Sequence, residues 1–365
     1  MKEIYVLKAK AGQILAEPVI TSLGGTLYLA GHELTYKDIE VLKAFLIKKI
    51  HVSVSGQPFP PLEGESEGAE DQSVANQEVN KQPEIFTEYE QVVKETEKLF
   101  KDLQGWGQIP LLEIREYLIP FVKKSLNTPS FVLQILSLST NPQSYFAHHA
   151  VAVSVLTSFL ATKAGVDQKE LPQIALAGYL HNIGQLKIDP VILNKNIPLT
   201  QEEFKEVQQH PKYGYEILKK IPGISEGVKL GALQHHERED GSGYPLGMIA
   251  GQIHSYAKMI AICDTYYAMC SERIYKKALS PFLVLDQLKS DSYGKLDPKY
   301  VYFFVELVTS QLYVGTKVML NNGALGEVIF IDRNTPTRPI VSANGEIINL
   351  AQDKNIYIEQ IELAL

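Results

Sequence analysis

Apolar residues recur at three- and four-residue spacing through the middle of the chain. "FTEYEQVVKETEKLF", "LLEIREYLIPFVKKSL", "SFVLQILSL", "AVAVSVLTSFLATKAG" and "PQIALAGYLHN" each set an apolar stripe against a polar face, the pattern of helices lying on a core. Residues 85–312 therefore predict a helical domain, without the long strands of a doubly wound sheet. The two ends read differently. In residues 1–55, "EIYVLKA" and "KKIHVSV" predict strands and "SLGGTLYL" a turn feeding a strand. There "LTYKDIEVLKAFLIKK" predicts one helix opening on a Thr N-cap. In residues 313–365, β-branched runs broken by Asn-Gly, Gly and Pro predict a small barrel or curled meander. Residues 56–84 are rich in Pro, Gly, Glu, Ser and Gln and poor in large apolar side chains. Such a segment buries too little surface to offset its chain entropy, so a flexible acidic linker is expected. The predicted architecture is multidomain: a mainly all-α domain flanked by small β-rich modules, the first of them α+β.

Composition narrows the function classes. A net charge of −7 over 365 residues argues against a chain-wide nucleic-acid footprint and leaves room only for a local basic pocket. Cys263 and Cys270 are the two cysteines and form no CxxC, which suggests buried free thiols in a reduced compartment. The N-terminal stretch interleaves charges with apolar residues, unlike a signal peptide. The apolar runs "AVAVSVLTSFLA" and "AKMIAICDTYYAM" are shorter than the ~20 residues of a membrane span. A soluble cytoplasmic protein with no membrane anchor of its own is expected.

The candidate chemistry lies in the helical domain. Of nine histidines, seven fall between 148 and 254. His148, His149, His181, His210, His235 and His236 each lie on or near a helix, where rigid backbone can aim their rings at one point. Asp264 is the charge on an otherwise apolar helix and needs a cation or a metal; Lys258 and Arg273 are its alternative partners. Taken singly, each of these has a bland explanation, a helix-start His or a surface-plus-core pair. Taken together, imidazoles with a carboxylate suit Fe, Mn or Zn better than Mg or Ca. Two such ions side by side activate water for in-line attack on phosphorus. "HHEREDGSGYPLG" is either a helix-ending turn or a lip over the site that presents Tyr244.

In this order, "LHNIGQ", "HPKYGYEIL", "HHEREDGSGYPLG", "CDTYYAM" and "SERIYKKALSP" resemble the HD-GYP family, a branch of the HD superfamily of metal-dependent phosphohydrolases. The resemblance covers about residues 141–282 closely, and the flanking modules are similar to segments that accompany such domains in bacterial proteins. It implies hydrolysis of the bacterial second messenger cyclic di-GMP to pGpG or GMP with two or three Fe or Mn ions. It implies metal ligands at His149, His181, Asn182, His210, His235, His236 and Asp264, with His149 preferred over His148. Arg273 and Lys276 of "SERIYK" would contact guanine or phosphate, as their chemistry suits.

Three positions depart from the family pattern. Asn182 stands where the name-giving Asp would bridge two ions, and a neutral amide offers one carbonyl oxygen and no charge. Gln185 stands where a Lys would offset phosphate charge in the transition state. Tyr145 lies one helical turn before His149, where three-metal members carry Glu. The reading that follows is a degenerate HD-GYP protein that binds a cyclic dinucleotide, with cyclic di-GMP first, hydrolysis impaired or lost, and one or two ions incompletely held. A working phosphodiesterase and a scaffold gripping a signalling protein such as a diguanylate cyclase are the alternatives. A second copy of the chain is a further candidate partner, whereas a nucleic-acid polymer or a membrane is not.

Overall fold

The computed structural model of the chain describes residues 2–20, 26–28, 30–44, 47–53, 84–104, 109–128, 130–137, 144–272 and 278–362. The expected linker over 56–84 lies outside the described residues apart from Glu84, and Arg273 and Lys276 lie outside them too. In the N-terminal module, strands β1 (Lys2–Tyr5), β2 (Val19–Ile20), β3 (Thr26–Tyr28) and β4 (Lys49–Val52) form two antiparallel pairs, β1 with β4 and β2 with β3. Helix α1 (Tyr36–Ala44) opens as its sequence implies: the Asp38 N–H donates to Thr35 Oγ1 at 3.2 Å, and the Thr35 N–H donates to the Asp38 carboxylate at 2.7 Å.

Twelve helices follow, among the described residues: α2 (Glu84–Gln104), α3 (Leu111–Leu126), α4 (Phe131–Ser137), α5 (Tyr145–Lys163), α6 (Leu171–Leu180), α7 (Pro190–Leu193), α8 (Gln201–Val207), α9 (His210–Leu218), α10 (Glu226–Gln234), α11 (Ser255–Cys270), α12 (Pro281–Asp291) and α13 (Pro298–Thr309). Helix α5 is the axis. Every residue from Ala147 to Ala161 is buried, because the helix is apolar all round and neighbours cover each of its faces. It is long and apolar enough to cross a membrane, yet 83% of its most apolar window is buried inside the fold. Helix α6 lies against it, with Ser154 Oγ donating to the Ala175 carbonyl at 2.8 Å. Helix α11 packs on another side and carries Cys263 and Cys270, both buried free thiols.

Strands β5 (Lys317–Leu320), β6 (Leu325–Phe330), β7 (Ile340–Ala343), β8 (Glu346–Asn349) and β9 (Ile358–Ile361) make one antiparallel sheet in the order β8-β7-β6-β5-β9. Of the two forms expected, this is the meander, with β9 returning beside β5. Val318, Val328 and Val341 of this sheet belong to the core of the helical domain. Phe330 instead joins the core of the N-terminal module, with Leu15, Leu27 and Leu42.

Candidate metal centre

Five elements deliver the polar cluster. His149 comes from α5, His181 from the end of α6, His210 from the start of α9, His235 and His236 from the end of α10, and Asp264 from the middle of α11. They fall into two groups, His149–His181–Asp264 and His210–His235–His236. Within each group the ligand atoms lie within 4.8 Å of one another. The His149 and His181 Nε2 atoms are 3.3 Å apart, and Asp264 Oδ1 is 2.9 Å and 3.7 Å from them. In the second group, His210 Nε2 and His235 Nε2 are 3.2 Å apart. The groups adjoin, since the His181 and His235 ring centroids are 5.0 Å apart.

The other ring nitrogens explain this aim. His181 Nδ1 lies 2.7 Å from the Gly178 carbonyl, His210 Nδ1 2.7 Å from that of Val207, and His235 Nδ1 2.9 Å from that of Ala232. A carbonyl accepts only from an N–H, so each Nδ1 carries the proton and each neutral ring turns the Nε2 lone pair inward. Burial then holds the His210, His235 and His236 rings neutral. It pushes His210 down to about 4 and His236 to about 3, with His235 well below its ordinary value, and the neighbouring imidazoles add to the effect. Burial alone would raise the Asp264 carboxyl, but a hydrogen bond from His149 Nε2 at 2.9 Å holds it well below the usual carboxylate range. Two lone pairs at 3.2 Å repel unless something positive lies between them. Neutral imidazoles converging beside one ionised carboxylate therefore fit a pair of divalent cations.

The HNIG turn locks two motifs together. Gly184 lies in the 3-10 turn Ile183–Lys187, and a Cβ there would collide with the His210 carbonyl oxygen and the Gly214 nitrogen. Only glycine lets this turn rest on the first turn of α9. Asn182 follows His181 directly in the chain. Its amide Nδ2 is 2.8 Å from His181 Nε2, while its Oδ1 and the Oε1 of Gln185 are buried without hydrogen-bond partners. Both oxygens are acceptors that a cation or a ligand donor would satisfy.

The GYP loop closes the other side. Tyr244 stacks on His236 with ring centroids 4.6 Å apart and planes 24° apart. A Cβ on Gly243 would meet the backbone of His236, Glu237 and Arg238, so the loop folds flat against the end of α10. Glu237, 2% exposed, pins it by accepting the Leu246 and Met248 N–H groups at 2.7 and 2.8 Å. The loop is thus both a helix-ending turn and a cover that presents Tyr244.

Some of the sequence's alternatives find other places. His148 points away from the cluster and pairs its Nδ1 with the Tyr89 hydroxyl at 3.0 Å. Lys258 bonds Glu239 and Asp297 at 2.7 and 3.1 Å, not Asp264. Two supporting roles were not assigned from the sequence, that of Tyr145, noted there only as a departure from the family pattern, and that of Glu237. The Tyr145 hydroxyl lies 3.0 Å from His149 Nδ1; its four-residue spacing on one helix was the signal available. Glu237 gave no signal, because its partners are backbone groups of a loop. A cavity of about 970 Å³ opens on the edge of the cluster formed by His149, Asn182 and Gln185.

A family model described as HD domain matches residues 133–300. The chain is 37% identical over 232 residues to a cyclic di-GMP phosphodiesterase of Pseudomonas aeruginosa, a span of 63% of this chain and 55% of that protein. It is 26% identical over 226 residues to the cyclic di-GMP phosphodiesterase PdeB of Borreliella burgdorferi, 61% of this chain and 58% of that one. The chain thus spans a little over half the length of these relatives. Among solved structures, an HDG"Y"P protein of Bdellovibrio bacteriovorus shares the fold, with a TM-score of 0.52 at 16% identity over 84% of this chain and 99% of that one. Residues 133–300 thus match the HD domain, as do the relatives that share it, and the order of motifs within them resembles the HD-GYP family.

Proposed function

We propose that this chain is a metal-dependent phosphodiesterase domain that binds cyclic di-GMP and hydrolyses it slowly. The observation that carries this reading is the pair of three-residue ligand groups, each with inward lone pairs or a carboxylate. His149, His181 and Asp264 would hold one ion and His210, His235 and His236 the other, with Fe or Mn the expected metals. When bound, such a pair supplies Lewis acidity and a nucleophile drawn from water for in-line attack on phosphorus. The residues do the rest. Asp264 contributes the negative charge of the six, backbone carbonyls fix the His181, His210 and His235 rings, and Tyr244 covers His236 against solvent. Asn182 contributes an oxygen but no charge, so two cations next to it repel each other more than beside a carboxylate. Gln185 contributes a dipole where developing charge calls for a cation. Slow turnover on a retained binding site follows from those two positions. Binding without any hydrolysis is the second reading, favoured by the Asn182 amide nitrogen 2.8 Å from His181 Nε2.

The test is metal analysis of the purified chain beside an assay for pGpG and GMP. The wild type should bind cyclic di-GMP and hold less than two ions per chain. Asn182→Asp should raise both metal content and hydrolysis. Two full ions with fast wild-type turnover would show that the amide attenuates nothing. Tight binding with no product from either protein selects the second reading, and neither binding nor product overturns both.

A further inference from the structure

The cavity beside the ligand groups has walls of two kinds. Phe100 of α2, Phe146 of α5 and Ile188 give apolar surface suited to covering a base. Lys101 of α2 and Lys187, at the end of the HNIG turn, are the cationic side chains among its described lining. Its acidic lining groups are Glu97 and Asp189, and the Asp189 carboxylate already caps α7 by accepting the Val191 N–H at 2.8 Å. The cavity volume of about 970 Å³ stands at the upper end of the roughly 300–1,000 Å³ of small-molecule sites. A phosphodiester approaching His149 and Asn182 through this cavity brings its negative charge beside Gln185, which is neutral. Lys187 follows two residues later in the same short turn and lines the same space.

Resting on the reading given under Proposed function, we propose that Lys187, assisted by Lys101, is the phosphate-binding cation of this site. It supplies the charge that Gln185 lacks, and the cavity seats one nucleotide half of the cyclic dinucleotide. A lysine is suited to this because its ammonium is a point charge on a flexible stem and needs no fixed fork geometry. The contact is charge-assisted and salt-sensitive, since both lysines are exposed.

The experiment titrates the full chain, with its metals, against a phosphorothioate analogue of cyclic di-GMP that resists hydrolysis, at low and high salt. Lys187→Ala should weaken binding about tenfold or more, with a smaller loss for Lys101→Ala. Glu97→Gln should tighten binding, because it removes an anion from the wall. Lys169→Ala, exposed and outside the cavity, should leave affinity unchanged. The decisive variant is Gln185→Lys in the Lys187→Ala background, which should restore affinity by returning a cation to the same cavity. Rescue of that kind does not follow from a merely structural role. If the wild type binds and Lys187→Ala binds equally well, or its loss is not rescued, Lys187 is not this cation and the proposed function stands. If the wild type neither binds the analogue nor turns over cyclic di-GMP, the proposed function itself has failed.

Discussion

Four of the five candidate ligand histidines are held from behind by a hydrogen bond, and for His149 the holder is a side chain. The Tyr145 hydroxyl can donate to or accept from His149 Nδ1 at 3.0 Å, so it supports the ring whichever tautomer is present. Ligand orientation of this kind sets metal affinity. Tyr145→Phe keeps the ring's bulk and removes the hydroxyl. Metal affinity should fall about 10–100-fold, measured by competition with a chelator, while the melting temperature of the metal-free protein moves little. Equal affinity in the two proteins would remove Tyr145 from the centre. The same residues give the metal-free protein an acid-sensitive fold. His210 titrates near 4 when folded and near 6.5 when unfolded, and His236 near 3. Between those values the unfolded chain binds more protons, so stability falls as pH drops from about 6.5 towards 4. Asp264, depressed by its histidine partners, adds a further loss as pH falls below the ordinary carboxylate range. Melts of the metal-free protein across that range check the sign. A melting temperature that rises on acidification contradicts the buried neutral imidazoles.

At the level of elements, two turns set the cluster, and each depends on a missing Cβ. Gly184→Ala drives a methyl group into the backbone of α9. The expected cost is at least the roughly 1–3 kcal/mol of overpacking, with loss of metal because Asn182 and His210 move apart. An unchanged melt and metal content would mean that the turn is not wedged there. These contacts also explain what was legible in the sequence. The helices were readable from periodicity, and His181, His210, His235 and His236 from their places at helix ends, where side-chain direction follows from the backbone. Asp264 was readable as a charge on an apolar helix. The choice of His149 over His148 rested on the family resemblance, since adjacent residues on one helix give no local reason to prefer either. The packing of the two turns, the clamp by Glu237 and the seating of Tyr244 were not readable, because each depends on which loop folds back on which helix.

For the whole molecule, the C-terminal sheet joins the helical domain to the N-terminal module, and one irregularity in β6 makes this possible. Val328 and Phe330 are two residues apart and would share a face in a regular strand. The pairing of β6 with β7 shifts between them, however: Val328 is opposite Val341 and Phe330 opposite Ile340, so β6 holds an extra residue. A bulge re-aims the side chains beyond it. Val328 accordingly belongs to the core of the helical domain, and Phe330 to that of the N-terminal module. An ion pair between Lys37 of α1 and Glu327 of β6, at 3.6 Å, spans the same junction, but both side chains are exposed enough that it adds little. Phe330 should therefore dominate the docking. Phe330→Ala removes a buried ring, worth about 3–5 kcal/mol in a well-packed core. The N-terminal module should then exchange its amide hydrogens faster and melt ahead of the rest, while metal content stays at the wild-type level. Val328→Ala should do the reverse and lower the melt of the helical domain. If Phe330→Ala lowers one common transition and releases metal, the two cores are a single cooperative unit, and the bulge does not divide them.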